Sequence, residues 1–290
     1  MKILITGANG QLGNEMRIVA KQHTEVDFVF TDIEELNICN TDEVDSFVKN
    51  LRPNYIVNCA AYTAVDKAEN DVDLCRAINC DAVKNLGIAA QKYKVKIIHI
   101  STDYVFDGTN NVPYTETMPT NPQTIYGKTK LEGEKALLSV CNTSFIIRTS
   151  WLYSSFGNNF VKTMLRLGNE RDSINVVFDQ VGTPTYAADL ANAIWKIITS
   201  KNTDYGVYHF SNEGVCSWYD FTTAIFRLTN TNCQVYPIES SEYPTKTPRP
   251  FYSVLNKRKI KSTFAISIPH WEVSLQKCLK ILKDKGIAEV

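Results

Sequence analysis

Short, continuously apolar runs alternate with longer amphipathic segments through the first half of the chain. Lys2–Thr6, Asp27–Thr31, Tyr55–Cys59, Lys96–Ile100 and Phe145–Arg148 read as strands. The segments between them, Gln11–Gln22, Thr41–Leu51, Leu74–Lys92 and Thr124–Val140, carry helical periodicity. Strands without polar alternation belong to a sheet covered on both faces. Strand–helix alternation implies right-handed crossovers and hence an α/β fold, a Rossmann-type doubly wound parallel sheet. From Trp151 onward the pattern changes. Shorter strands, Ile174–Phe178 and Gly206–Phe210, mix with helices at Asp189–Ser200, Trp218–Leu228 and Trp271–Lys285, and the Pro-rich stretch Tyr243–Pro250 reads as an ordered loop. The expectation is a cofactor-binding sheet domain over residues 1–150 and a smaller C-terminal substrate-binding lobe over 151–290, with some segments of the lobe returning to the sheet.

Composition narrows the setting. Lys plus Arg and Asp plus Glu balance at 31 each, so no general affinity for nucleic acid or anionic membrane is expected. The N-terminal apolar run is too short for a signal-peptide core and ends at Gly7, and no stretch approaches a membrane span. The eight cysteines form no CxxC pair and mostly sit in apolar company, which points to reduced thiols and a cytoplasmic location. The four histidines are scattered and propose no metal site; His99, inside Ile97–Ile100, reads as a strand residue.

The first strand runs into Gly7-Ala8-Asn9-Gly10-Gln11-Leu12-Gly13, which opens the first helix. Glycine suits this place because the turn needs unusual φ/ψ and the backbone must approach a pyrophosphate closely. The helix N-terminus then offers N–H groups and partial positive charge to the anion. Asp32 closes the second strand, where a carboxylate accepts from ribose hydroxyls and repels a 2′-phosphate. That chemistry leans towards NADH. Ala60-Ala61-Tyr62 follows the third strand with small residues that let backbone lie against a cofactor.

Tyr126 and Lys130 stand four apart and share one helix face. A phenol titrating at ~10 is a poor acid near neutrality, and a neighbouring ammonium lowers it. Tyr126 would then protonate a carbonyl oxygen as hydride reaches the carbon. Such a pair is common by chance, but Ser101-Thr102-Asp103 follows the fourth strand at the carboxyl edge where ligands bind, and the Thr102 hydroxyl can share the carbonyl hydrogen bond.

With these motifs the chain resembles the extended short-chain dehydrogenase/reductase family. The likeness extends through Val57–Glu69, Ser101–Gly108, Tyr126–Glu134 and Arg148–Trp151, and beyond the sheet to Gly157–Leu165 and Asp179–Thr185. The resemblance implies Thr102, Tyr126 and Lys130 as the catalytic triad. It implies a cofactor site lined by Gly7, Gly10, Gln11, Leu12, Gly13, Asp32, Asn37, Ile38, Ala60, Ala61 and Tyr62 with Tyr126 and Lys130. It places Thr102, Asp103 and Trp151 against a sugar. Arg249 is a candidate diphosphate partner, since guanidinium grips phosphate in a fork, with a surface arginine as the equal alternative. The implied reaction is reduction of the C4 ketone of dTDP-4-dehydro-6-deoxy-L-mannose to dTDP-L-rhamnose by NADPH or NADH. Some relatives dimerise through magnesium held by acidic residues near the chain ends; Glu15 matches one ligand, the others have no assigned counterpart, and no metal residue is named. Two readings stay open beside this one. One is another nucleotide-sugar reductase or epimerase of the same fold. The other is a non-catalytic regulatory subunit resembling that of methionine adenosyltransferase.

Overall fold

A computed structural model describes residues 1–286; residues 287–290, the end of the expected lobe, lie outside the described residues. Six parallel strands form the central sheet: β1 (Lys2–Thr6), β2 (Asp27–Thr31), β3 (Tyr55–Asn58), β4 (Lys96–Thr102), β5 (Ser144–Thr149) and β6 (Gly206–His209). Their order is β6-β5-β4-β3-β1-β2. The strand order therefore reverses beside β1, where β2 leaves on one side and β3 on the other, which creates the crevice that α/β sheets use for ligands. β4 runs two residues further than the apolar run, carrying Ser101 and Thr102 into the sheet opposite Arg148 and Thr149 of β5.

Both faces are covered, as the apolar strands require. Ile3 and Ile5 of β1 pack with helix α1 (Gln11–Gln22) on one side, and Leu4 packs on the other with Val44 and Val48 of α2 (Thr41–Leu51). Helices α3 (Ala82–Tyr93) and α4 (Ile125–Val140) share the second side through Leu86 and Leu137. Helix α5 (Ala187–Ser200) covers the first side against α1 through Leu190, Ile194 and Ile197. A separate apolar cluster is built wholly from residues between Tyr153 and Leu282, around Phe221, Ile225, Leu275 and Leu279.

One expected helix divides. In place of a continuous Leu74–Lys92 there is a short helix Val72–Arg76, a π-helical turn Ala77–Asp81, and then α3. The turn lies against α4 so closely that a Cβ on Gly133 would sit 2.0 Å from the Asn79 carbonyl oxygen. Single π turns of this kind re-aim a side chain, and here the side chain is Asn79.

Candidate active site

The glycine turn sits in the crevice beside β1. Gly7 adopts φ +63°, and a Cβ there would meet the Ala60 backbone nitrogen at 2.5 Å. A Cβ on Gly13 would meet the Gly7 carbonyl oxygen at 2.5 Å. These approaches bring the turn, the start of α1 and the Ala60–Tyr62 segment together. Gly10 is the N-cap of α1 and no side chain caps that end. Asp32 braces the turn: its carboxylate accepts from the Asn9 and Ile33 backbone N–H groups, each at 2.9 Å. Gln11 reaches towards the other half of the chain, where Asn159 donates to its side-chain oxygen at 3.0 Å. The side chains of Leu12 and Ile38 are buried in the two sheet-face cores, so only their backbone is available to a ligand. Asn37 uses its side-chain oxygen locally, on the Cys39 N–H.

Tyr62 is held by a residue the sequence reading passed over. Asn79, fully buried on the π turn, accepts from the Tyr62 N–H at 2.9 Å and donates to its carbonyl at 3.0 Å. A polar amide set directly between the apolar residues Ala77, Ile78 and Cys80 was the available signal.

Tyr126 faces Thr102 at the carboxyl end of β4, and Lys130, one turn further along α4, bonds the Ile100 carbonyl of the same strand. Thr124 caps α4 through the Gly127 N–H, and Gly127 lets the helix start close against the Tyr104 carbonyl. Within this first turn the Tyr126 ring lies edge-on to Tyr104 with centroids 5.5 Å apart. Burial pushes the Tyr126 phenol up, while the facing Thr102 hydroxyl pulls it down. The expected lowering by a nearby ammonium is therefore not what dominates here. The Lys130 amine is turned to the Ile100 carbonyl, 2.6 Å away, and burial pulls it down to about 8 against the opposing charge of Glu134.

Asp103 is buried beside Thr102, which donates to its Oδ1 at 3.0 Å, and among the described residues its Oδ2 has no hydrogen-bond partner. Burial pushes this carboxyl up to about 7, with Thr102 pulling against it. The folded chain thus holds a proton that the unfolded chain releases near 3.8, so this group's contribution makes stability fall as pH rises between about 4 and 7. Asp103→Asn is expected to flatten that part of the stability–pH curve, read as the difference in melting temperature between pH 5 and pH 7.5. An unchanged difference would place the cause elsewhere.

Trp151 occupies a backbone conformation that bulky residues rarely adopt, φ +47°. One face of its indole is already taken: it stacks on Trp218 with centroids 3.5 Å apart and planes 9° apart. Gly182 leaves room for the indole, since a Cβ there would lie 2.7 Å from it. Arg249 is also engaged. It donates to Asp66 Oδ2 at 2.6 Å, while among the described residues its buried Nη1 has no partner. Glu15, the residue matched to a magnesium ligand, is buried and accepts from the Ser154 hydroxyl at 2.6 Å. Burial pushes its carboxyl up, and no three His, Cys, Asp or Glu side chains converge on a cation site among the described residues.

Similarity to known proteins agrees with this arrangement over nearly the whole chain. The family described as RmlD substrate binding domain matches residues 1–284. The dTDP-4-dehydrorhamnose reductase of Aggregatibacter actinomycetemcomitans is 42% identical over 285 residues, covering 95% of this chain and 97% of the relative. The chain belongs to the dTDP-4-dehydrorhamnose reductase family. The crystal structure of the Clostridium acetobutylicum member is 46% identical with a TM-score of 0.94, covering 98% of this chain and all of that one. The Bacillus anthracis reductase, solved in complex with NADP, is 41% identical with a TM-score of 0.93, over 97% and 99% of the two chains. Among the described residues of this reductase, no helix is long and apolar enough to cross a membrane.

Proposed function

We propose that this chain reduces the C4 ketone of dTDP-4-dehydro-6-deoxy-L-mannose, giving dTDP-L-rhamnose, with NADPH or NADH as reductant. The observation that carries the reading is that Tyr126 facing Thr102, and Lys130 bonded to Ile100, lie against the end of β4, on the sheet edge that also holds the uncapped, glycine-built start of α1. Gly7, Gly10 and Gly13, with the backbone of Gln11 and Leu12, would hold the pyrophosphate. Asp32 would accept from the adenosine ribose hydroxyls, with Asn37 and the Ile38 backbone beside it, and Ala60, Ala61 and Tyr62 would line the other side of the cofactor. NADP in the Bacillus anthracis relative argues against reading Asp32 as a bar to NADPH. When bound, the nicotinamide supplies hydride to the C4 carbon. Tyr126 gives its phenolic proton to the carbonyl oxygen, so the ketone gains one hydride and one proton. Thr102 would donate to the same oxygen, and Lys130, in its charged form, would hold the nicotinamide ribose and stabilise the phenolate that Tyr126 leaves.

Asp103 and Trp151 are the proposed sugar contacts, with Arg249 at the diphosphate. For the last, the buried and unpartnered Nη1 is the supporting feature. Trp218 backs Trp151, so Trp218→Ala is expected to raise KM for the sugar nucleotide about 2–10-fold, as loss of an aromatic pair worth ~0.5–1.5 kcal/mol implies. Its NADPH affinity should stay unchanged; a loss of both would show a general folding defect. Work is divided between a cofactor-binding part, residues 1–150, and a substrate-binding part built around the second-half apolar core, from which α5 and β6 return to the sheet. Eight unpaired cysteines favour a cytoplasmic setting.

The test mixes the protein with NADPH or NADH and the dTDP-4-keto sugar, following loss of reduced-nicotinamide absorbance and identifying the product sugar. Reduction only of other nucleotide sugars would correct the substrate. No oxidation with either cofactor would overturn the enzyme reading.

A further inference from the structure

Behind the Tyr126–Lys130 face lies a row of buried polar side chains whose donor and acceptor roles can be assigned one by one. The Ala60 backbone N–H donates to Asn58 Oδ1 at 3.2 Å, and the Thr6 hydroxyl donates to the same oxygen at 2.7 Å. A peptide N–H can only donate, so this contact fixes which end of the Asn58 amide is oxygen. Its Nδ2 therefore faces His99 Nδ1, 3.0 Å away on the neighbouring strand. An amide nitrogen also only donates, so His99 Nδ1 must present a lone pair. Burial in the sheet keeps this ring neutral. A neutral imidazole with a bare Nδ1 carries its proton on Nε2. That atom lies 3.4 Å from Lys130 Nζ.

An ammonium has no lone pair, so against the His99 N–H it meets donor with donor. A neutral amine accepts. The bond from Lys130 to the Ile100 carbonyl serves either form. We infer that His99 is a positioning residue for Lys130: pinned in one tautomer by Asn58, it turns an N–H towards the lysine and favours the uncharged amine in the resting site. The inference rests on the proposed membership of Lys130 in the active site. The other groups acting on the lysine oppose His99. Glu134, one turn along α4, and Cys75, on the Val72–Arg76 helix, both favour the ammonium. Burial acts in the same direction as His99. The consequence is a lysine that gains and loses its charge close to the working pH, with whatever it holds at the ribose following that charge.

Two measurements on the full chain test this. Nitrogen NMR of the unaltered protein with 15N-labelled histidine is expected to show, besides His270, whose Nδ1 accepts from the Glu272 N–H, a ring with Nδ1 bare and Nε2 protonated that is absent from His99→Gln. If the His99 ring carries its proton on Nδ1, the inference fails. Because this readout uses the unaltered protein, the inference remains testable even if the variant does not fold. Carbon NMR of 13Cε-labelled lysine, assigned by the signal missing in Lys130→Ala, is expected to show a titration near pH 8. In His99→Gln, whose side-chain oxygen can accept from the ammonium, that midpoint should rise by about one pH unit or more. An unmoved midpoint overturns the inference. Neither readout needs substrate. A protein with the stated tautomer but no reductase turnover would refute the proposed function alone, and full turnover with the other tautomer would refute this inference alone.

Discussion

Tyr126→Phe is expected to lower kcat by roughly 10²–10⁴, the range that general acid catalysis contributes. NADPH affinity and melting temperature should stay close to those of the parent. The geometry separates the two effects. The ring is held edge-on by Tyr104 and sits at the start of a helix whose cap is made by Thr124, so a phenylalanine keeps the packing and the helix start. What is lost is one hydroxyl, the group placed to protonate the carbonyl oxygen. Thr102 retains a hydroxyl at the site, which accounts for residual rather than zero turnover. The checks are steady-state turnover with the dTDP-4-keto sugar and a cofactor titration by fluorescence. Undiminished kcat would remove Tyr126 as the proton donor. A parallel collapse of cofactor affinity would mean that the phenol holds the nicotinamide rather than the substrate.

The sheet and the Tyr126–Lys130 face were legible because both are written in local periodicity. β1, β2, α1 and α2 need only a run of apolar residues or a 3.6-residue repeat with punctuation at its ends. The glycine turn was legible because a strand, a turn and a helix occur together in one short stretch. What stayed hidden depends on residues far apart in the chain. The break at Ala77–Asp81 serves Asn79, whose partner Tyr62 lies 17 positions earlier. Trp151 is expected against a sugar, and its stack on Trp218, 67 positions further on, could not be read from its neighbours. Arg249 reads equally as a diphosphate partner or a surface arginine, but Asp66, 183 positions away, is bound to it. His99 was readable as a strand residue, but its tautomer follows from Asn58 on the adjacent strand and from an amide N–H at Ala60. Periodicity says which face a residue occupies; it does not say which distant polar group waits there.

The same limit concealed the pair with the largest expected effect on stability. Arg148 on β5 and Glu134 on α4 form a bidentate contact, with bonds of 2.9 Å from Nε to Oε1 and 2.7 Å from Nη2 to Oε2. Their side chains are only 5% and 2% exposed, so water cannot replace either partner. Ser101 also donates to Glu134, tying the end of β4 to the helix that carries Tyr126 and Lys130. Arg148→Leu leaves the carboxylate buried without its counter-charge, a change that typically costs ~3–5 kcal/mol. For a chain of this size that corresponds to a melting temperature lower by roughly 6–20 °C. Adding Glu134→Leu to Arg148→Leu should restore most of the loss, because the exposed cost is the unpaired charge and not the absence of the pair. Thermal melts of the parent, both single variants and the double variant complete the cycle. If the double variant melted as low as Arg148→Leu alone, the pair would be acting through packing around Phe106, over whose ring the guanidinium lies at 5.2 Å, and not through its charges.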